Sequence, residues 1–178
     1  MYRRMNTLKL SLKKKSGLIH FCDTPGLVDG DMKYPFDVNE AILYMSDLAD
    51  LVLVFFDPIG QALCKRTLDV VEALSEENGE KLRFFLSKAD EAGDESDRQR
   101  VLMQIVQELC RRPSLNQTCF DMPTIYINTD GKPKRCVNQI QHVCEEISKT
   151  INMTLQKSLN QLEVDWCVTN LLTVIKLI

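Results

Sequence analysis

Apolar residues fall along this chain in two rhythms. From Asn6 to Leu12, Leu8, Leu10 and Leu12 alternate with polar neighbours, the period of a half-buried strand. Lys13-Lys14-Lys15-Ser16-Gly17 then turns, and Leu18 to Cys22 follows as a second strand, so the start reads as a hairpin. Leu48 to Phe56 is an almost unbroken apolar run, and Leu82 to Leu86 and Pro123 to Ile127 are shorter ones; strands covered on both faces read this way. Between these runs the period lengthens to that of a helix. Helices are predicted from about Phe36 to Asp47, from Cys64 to Asn78 with Leu68, Val71 and Leu74 inward and a stop near Gly79, and from Ser96 to Arg111 with Val101, Ile105 and Leu109 on one face. Alternating strands and helices predict an α/β fold, three-layered, with a mostly parallel sheet and right-handed crossovers.

The longest pattern comes last. From about Arg135 to Trp166 the positions Val137, Ile140, Cys144, Ile147, Ile151, Leu155, Leu159, Leu162 and Trp166 recur every three or four residues. That predicts a helix of about thirty residues, roughly 45 Å long. Its first half can lie on the sheet, while its second half outruns a small domain and needs another partner. The chain thus divides into a domain at 1–134 and a long helix with an apolar tail at 135–178. Leu171 to Ile178 is too short to span a bilayer. It reads equally as a buried strand, an interface or out-of-place sequence.

Two predicted strands end in chemistry. Asp23-Thr24-Pro25-Gly26 closes the run ending at Cys22, and Ser87-Lys88-Ala89-Asp90 closes the run ending at Leu86. A strand ending in DxxG delivers a carboxylate to the water shell of Mg²⁺ and a glycine N–H to a terminal phosphate; a later strand ending in a [NTS]KxD sequence holds a guanine base. In this order, about sixty residues apart, the pair is a stronger signal than either alone. Asp90 can accept hydrogen bonds from N1–H and the 2-amino group of guanine, which adenine cannot supply. Lys88 would lay its stem over the base, Asp23 suits Mg²⁺ held through water, and Gly26 allows close backbone approach to phosphate. The bland alternatives are a strand-to-loop turn at DTPG and a solvated loop at SKAD.

G-x-x-x-x-G-K-[ST], the loop that cradles phosphates, occurs nowhere in the chain. GQALCKRT, Gly60 to Thr67, lacks the second glycine and follows the wrong strand. The expectation is therefore a guanine-nucleotide domain without its first strand, phosphate loop and first switch, with Leu27 to Tyr34, including Asp29-Gly30-Asp31, standing as the second switch.

Composition changes little. With 44% hydrophobic and 26% charged residues the chain is ordinary for one globular domain. A net charge of −3 and the absence of a basic stripe argue against a nucleic-acid partner. Seven cysteines without a C-x-x-C, and only His20 and His142 beside them, read as reduced thiols in the cytoplasm, in place of zinc ligands or a disulfide framework. Met1 to Lys15 holds no apolar signal-peptide core.

From Phe21 to about Ile127 the chain resembles the dynamin superfamily, and within it the Eps15-homology-domain ATPases and sarcalumenin. The resemblance rests on DTPGLVDG, on the strand ending in Phe56-Asp57, on Val70-Val71-Glu72-Ala73-Leu74 closing a helix, and on Arg83-Phe84-Phe85-Leu86-Ser87-Lys88-Ala89-Asp90. It implies a P-loop-NTPase-type sheet, Mg²⁺ with GTP (ATP in some relatives), nucleotide hydrolysis, a membrane surface as partner of the full-length protein, peripheral membrane location, and a long helix opening a stalk. Ser87 stands where Asn or Thr is usual. Leu27 stands where small regulatory GTPases often carry a water-orienting Gln, so no catalytic residue is identified, and help would have to come from the missing phosphate loop or first switch or from a partner across a dimer, the route that the resemblance suggests. The reading is a GTP-binding, GTP-hydrolysing parent domain. The competing reading is a non-catalytic module that self-associates or pairs with another subunit.

Overall fold

The computed structural model describes residues 7–8, 19–27, 34–59, 63–116, 121–128 and 135–176. In chain order the elements are β1 (Thr7–Leu8), β2 (Phe21–Cys22), α1 (Val38–Leu48), β3 (Val52–Phe56), α2 (Lys65–Asn78) with a 3-10 turn at Gly79–Lys81, β4 (Leu82–Leu86), α3 (Glu95–Cys110) and α4 (Ile140–Lys176). Helix starts carry local caps. The Asp37 carboxylate accepts the N–H groups of Asn39 and Glu40, and Asp94 accepts that of Asp97 at 2.9 Å. At α2 the Cys64 sulfur takes this role, accepting the Thr67 N–H at 3.3 Å.

β3 and β4 run parallel, in register from Val52 opposite Leu82 to Phe56 opposite Leu86. The segment at 123–125 extends this pair, bridging in parallel at Thr124: the Leu86 N–H donates to the Pro123 carbonyl (3.0 Å) and the Ile125 N–H to the Leu86 carbonyl (2.8 Å). β1 and β2 form a separate antiparallel pair, with Thr7 opposite Cys22 and Leu8 opposite Phe21.

Strand alternation assigns the two faces of the parallel pair. Val52, Val54 and Phe56 with Leu82, Phe84 and Leu86 face the main core, where Leu68, Val71 and Leu74 of α2, Ile105 and Leu109 of α3, and Leu115 are gathered, with Ile42 and Leu43 of α1 against them. Burying side chains of this size stabilises the fold by about 1.5–3 kcal/mol each. The opposite face presents Arg83 and Phe85 to the start of α4: the Phe85 ring meets the edge of His142, and the Arg83 guanidinium pairs with Glu146 at 2.5 Å. Helices therefore cover both faces of a short parallel sheet, a mixed α/β arrangement as expected.

Several boundaries differ from the pattern. Leu48 belongs to α1 rather than to β3, because the Ala49 N–H turns back to the Ser46 carbonyl at 3.2 Å and ends the helix there. Pro123–Ile127 meets β4 in a single bridge, not as a full strand, because β4 ends at Leu86 and the chain turns at Lys88; on the edge facing away from β4 the Thr124 N–H goes to the Gln139 side chain at 3.0 Å and the Tyr126 N–H to that of Asn138 at 3.3 Å. The same bonds hold 135–139 outside α4, which begins at Ile140 and not at Arg135. α4 then continues past Trp166 to Lys176, so the backbone at 171–176 is helical, which removes the buried-strand reading there. β2 is two residues long, shorter than the run from Leu18. The strand expected at 9–12, the turn at 13–17, the switch residues 28–33, and 60–62 of GQALCKRT lie outside the described residues. Among the described residues no helix is long and apolar enough to cross a membrane.

Candidate functional site

The loop after β2 is open to solvent. Asp23, Thr24, Pro25 and Gly26 are exposed, and Leu27 turns inward against the main core. A Cβ built on Gly26 meets nothing within 4 Å, so free space lies beside the backbone at the glycine proposed to approach phosphate. The loop is held from two sides. The Tyr34 hydroxyl donates to the Gly26 carbonyl at 2.8 Å, and the Arg66 guanidinium lies over the Tyr34 ring, 5.5 Å from its centroid. The Cys64 thiol approaches the Leu27 carbonyl at 3.8 Å.

The loop after β4 is built more tightly. The Ser87 N–H and hydroxyl both donate to the Phe56 carbonyl, at 2.8 and 3.0 Å, which fastens this loop to the end of β3. Ala89 is fully buried, and its N–H donates to the Ile125 carbonyl at 3.2 Å. Lys88 takes a left-handed conformation, φ 50°, and the Glu91 N–H closes the turn on its carbonyl at 2.9 Å. With Ala89 pinned inward, Lys88 is left exposed and Asp90 half-buried. The Lys88 ammonium lies 2.6 Å from the Asp57 carboxylate; that hydrogen bond, with the attraction of the two charges, raises the lysine above its ordinary pKa.

Arg98 supports the loop from below. Its buried guanidinium donates to the Gly93 carbonyl at 2.9 Å and pairs with Glu95 at 2.5 Å. Gly93 has φ 81°, a left-handed conformation that favours glycine; a Cβ there would also lie 2.7 Å from an Asp97 carboxylate oxygen, which that side chain would have to turn away to relieve. Next to this support, burial pushes the Cys136 thiol up from its ordinary pKa, against the lowering effect of nearby Arg98.

The two motif loops thus attach to opposite ends of one connection. Ser87 and Lys88 grip Phe56 and Asp57 where β3 ends, while Leu27 meets Cys64 where α2 begins. Sequence reasoning singled out the motif residues but not Tyr34, Cys64 or Arg98, which brace them. A polar residue in the first turn of a helix pattern and a cysteine before one carry no periodic signal. Asp57 had one, as the acidic residue closing an apolar strand. Among the described residues no three His, Cys, Asp or Glu side chains gather as a metal cage. Cys22, Cys64, Cys110, Cys136, Cys144 and Cys167 are free thiols. No protein-family model matches the chain, and no curated protein matches it.

Proposed function

We propose that this chain carries the base-binding and magnesium-side half of a guanine-nucleotide site, on an α/β domain of the P-loop NTPase type related to the dynamin superfamily. The observation that carries the reading is the Ser87–Asp90 loop. It sits at the carboxyl end of a parallel strand, its buried Ala89 turns Lys88 and Asp90 away from the core, and ligands of open parallel sheets bind at that end. Asp90 would accept the two guanine donors and the Lys88 stem would lie against the base, its ammonium steadied by Asp57. Ser87 is spent on the Phe56 carbonyl, so it acts as a brace and not as a base contact.

Asp23 would hold Mg²⁺ through water. A single exposed carboxylate fits an ion that keeps its own hydration and takes other oxygens from a bound phosphate. Bound there, the ion would neutralise phosphate charge, while Gly26 leaves room for the phosphate itself. Cytoplasmic location accords with the free thiols among the described residues, while a membrane surface as partner rests on the resemblance alone.

The chain lacks G-x-x-x-x-G-K-[ST], and Leu27 cannot orient a water, so the same reading gives weak binding and negligible turnover by these residues alone. Calorimetric titration with Mg²⁺–GTP and Mg²⁺–ATP tests it. Weak binding that prefers GTP and is lost in Asp90→Asn is the expected result. Tighter binding of ATP, or no saturable binding of either, overturns it. The exposed outer half of α4 favours the second reading, an association module, whatever the nucleotide result.

A further inference from the structure

We propose that the outer half of α4 pairs with the same segment of a second copy, antiparallel, about a two-fold axis between Asn160 and Gln161. This rests on α4 alone and stands whether or not the domain binds a nucleotide.

The helix has two regimes. Along 142–154 its inner stripe is half-buried: His142, Val143, Glu146, Ile147, Ile151 and Thr154 all lie partly covered, with His142 and Glu146 held by Phe85 and Arg83. From Leu155 to Val168 every side chain is exposed. Leu155 (44% exposed), Leu159 (61%), Leu162 (64%) and Trp166 (68%) form one stripe there. At 100° per residue they fall within about 60° of arc, while the exposed Val164 and Val168 lie on other sides of the helix.

The spacing along this stripe is four, three and four residues, and it reads the same in either direction. Reversed about its midpoint, Leu159 lies opposite Leu162 of the second copy, and Leu155 opposite Trp166. That self-complementarity is what a two-fold contact between identical chains requires. The four side chains expose on the order of 500 Å² per copy, hence about 1,000 Å² for a pair, the lower bound of a specific interface. Direction follows from the rest of the molecule. A parallel pair would set the two domains side by side on 140–154 and place both tryptophans at one level. The antiparallel pair sends the domains to opposite ends and sets each large ring against a leucine.

The test uses the full chain. Sedimentation should give a saturable monomer–dimer equilibrium, and emission from Trp166, the sole tryptophan, should shift to the blue as dimer forms. Leu159→Gln with Leu162→Gln should weaken the dimer at least about tenfold with unchanged helical circular dichroism, and Leu155→Gln alone should reduce the tryptophan shift in the dimer that remains. For direction, Leu155→Cys and Trp166→Cys chains are mixed and oxidised, and disulfides are identified by mass spectrometry. A 155–166 cross-link is expected. A monomeric wild-type chain, open-ended aggregation, or a Leu155→Cys chain that cross-links to its own kind through position 155 each overturns the proposal. Should the double variant unfold, the disulfide mapping and the tryptophan shift of the wild-type chain still decide.

Discussion

Lys88 ties the ends of two neighbouring parallel strands together: it follows β4, and its ammonium reaches 2.6 Å from the carboxylate of Asp57, the residue that follows β3. Both partners stay in contact with solvent, so the pair contributes little to stability; on the proposed reading it would hold the lysine stem along the mouth of the site.

Lys88→Ala should therefore leave the melting temperature almost unchanged while weakening GTP and ATP by similar factors, since on the proposed reading the stem would contact a base face common to both. Differential scanning fluorimetry and calorimetric titration read the two effects separately. A large drop in melting temperature would mean that the lysine serves the fold and not the ligand.

Asp90→Asn replaces an acceptor with a mixed amide. The expected loss is about 2 kcal/mol in GTP binding, with a gain for xanthosine triphosphate, whose 2-position carries an oxygen. Competition titrations of the two nucleotides measure the exchange. An effect confined to ATP would place the base elsewhere.

The placement of the two motif loops was legible because they follow strand ends that apolar runs already mark. α2, α3 and β4 were legible for a related reason: Leu68, Val71, Leu74, Ile105 and Leu109 combine a clean period with deep burial. What escaped was decided by partners far away in the chain. Gln139 and Asn138 take the N–H groups of Thr124 and Tyr126 on the edge facing away from β4, and no local pattern announces that contact. The Leu171–Ile178 run is as apolar and β-branched as a strand, yet a helix already propagating extends through 171–176 at the cost of fixing only one residue at a time. Arg98 beneath the Ser87–Asp90 loop is of the same kind, since its role depends on where Gly93 turns.

Asn78 offers a test of how the helices are locked. It is buried at the end of α2, and its amide donates to Ser46 Oγ at 3.1 Å and to the Asp47 carboxylate at 2.8 Å, fastening the end of α1. Asn78→Leu fills the space but leaves the buried Ser46 hydroxyl without its donor, while the exposed Asp47 carboxylate can turn to water. The expected cost is about 1–3 kcal/mol in urea denaturation, with the slope of the transition unchanged. A cost near zero would show that water replaces the amide freely.

Acid should loosen the base of α4 before it unfolds the domain. The Arg83 guanidinium beside Glu146 hydrogen-bonds and attracts its carboxylate, holding it below the usual carboxylate range against a partial opposing effect of burial, with Lys149 and His142 adding smaller contributions. A carboxyl whose pKa is depressed on folding stabilises the folded state above its unfolded pKa, about 4.3, and that contribution fades as pH falls through the lower folded value. The wild-type chain should thus lose stability below about pH 4.3 through this pair, while Glu146→Gln, already neutral, should be weaker at pH 7 and show a flatter decline in acid. Because Glu146 lies on the half-buried part of α4 over Phe85 and Arg83, the loss should be seen first as faster amide exchange along 140–151, ahead of exchange in β3 and β4. Hydrogen exchange from neutral pH down to pH 3, corrected for intrinsic rates, measures both. Equal acid sensitivity in the two proteins, or loss of α4 and β4 protection together, would mean that the pair does not govern how α4 is held on the sheet.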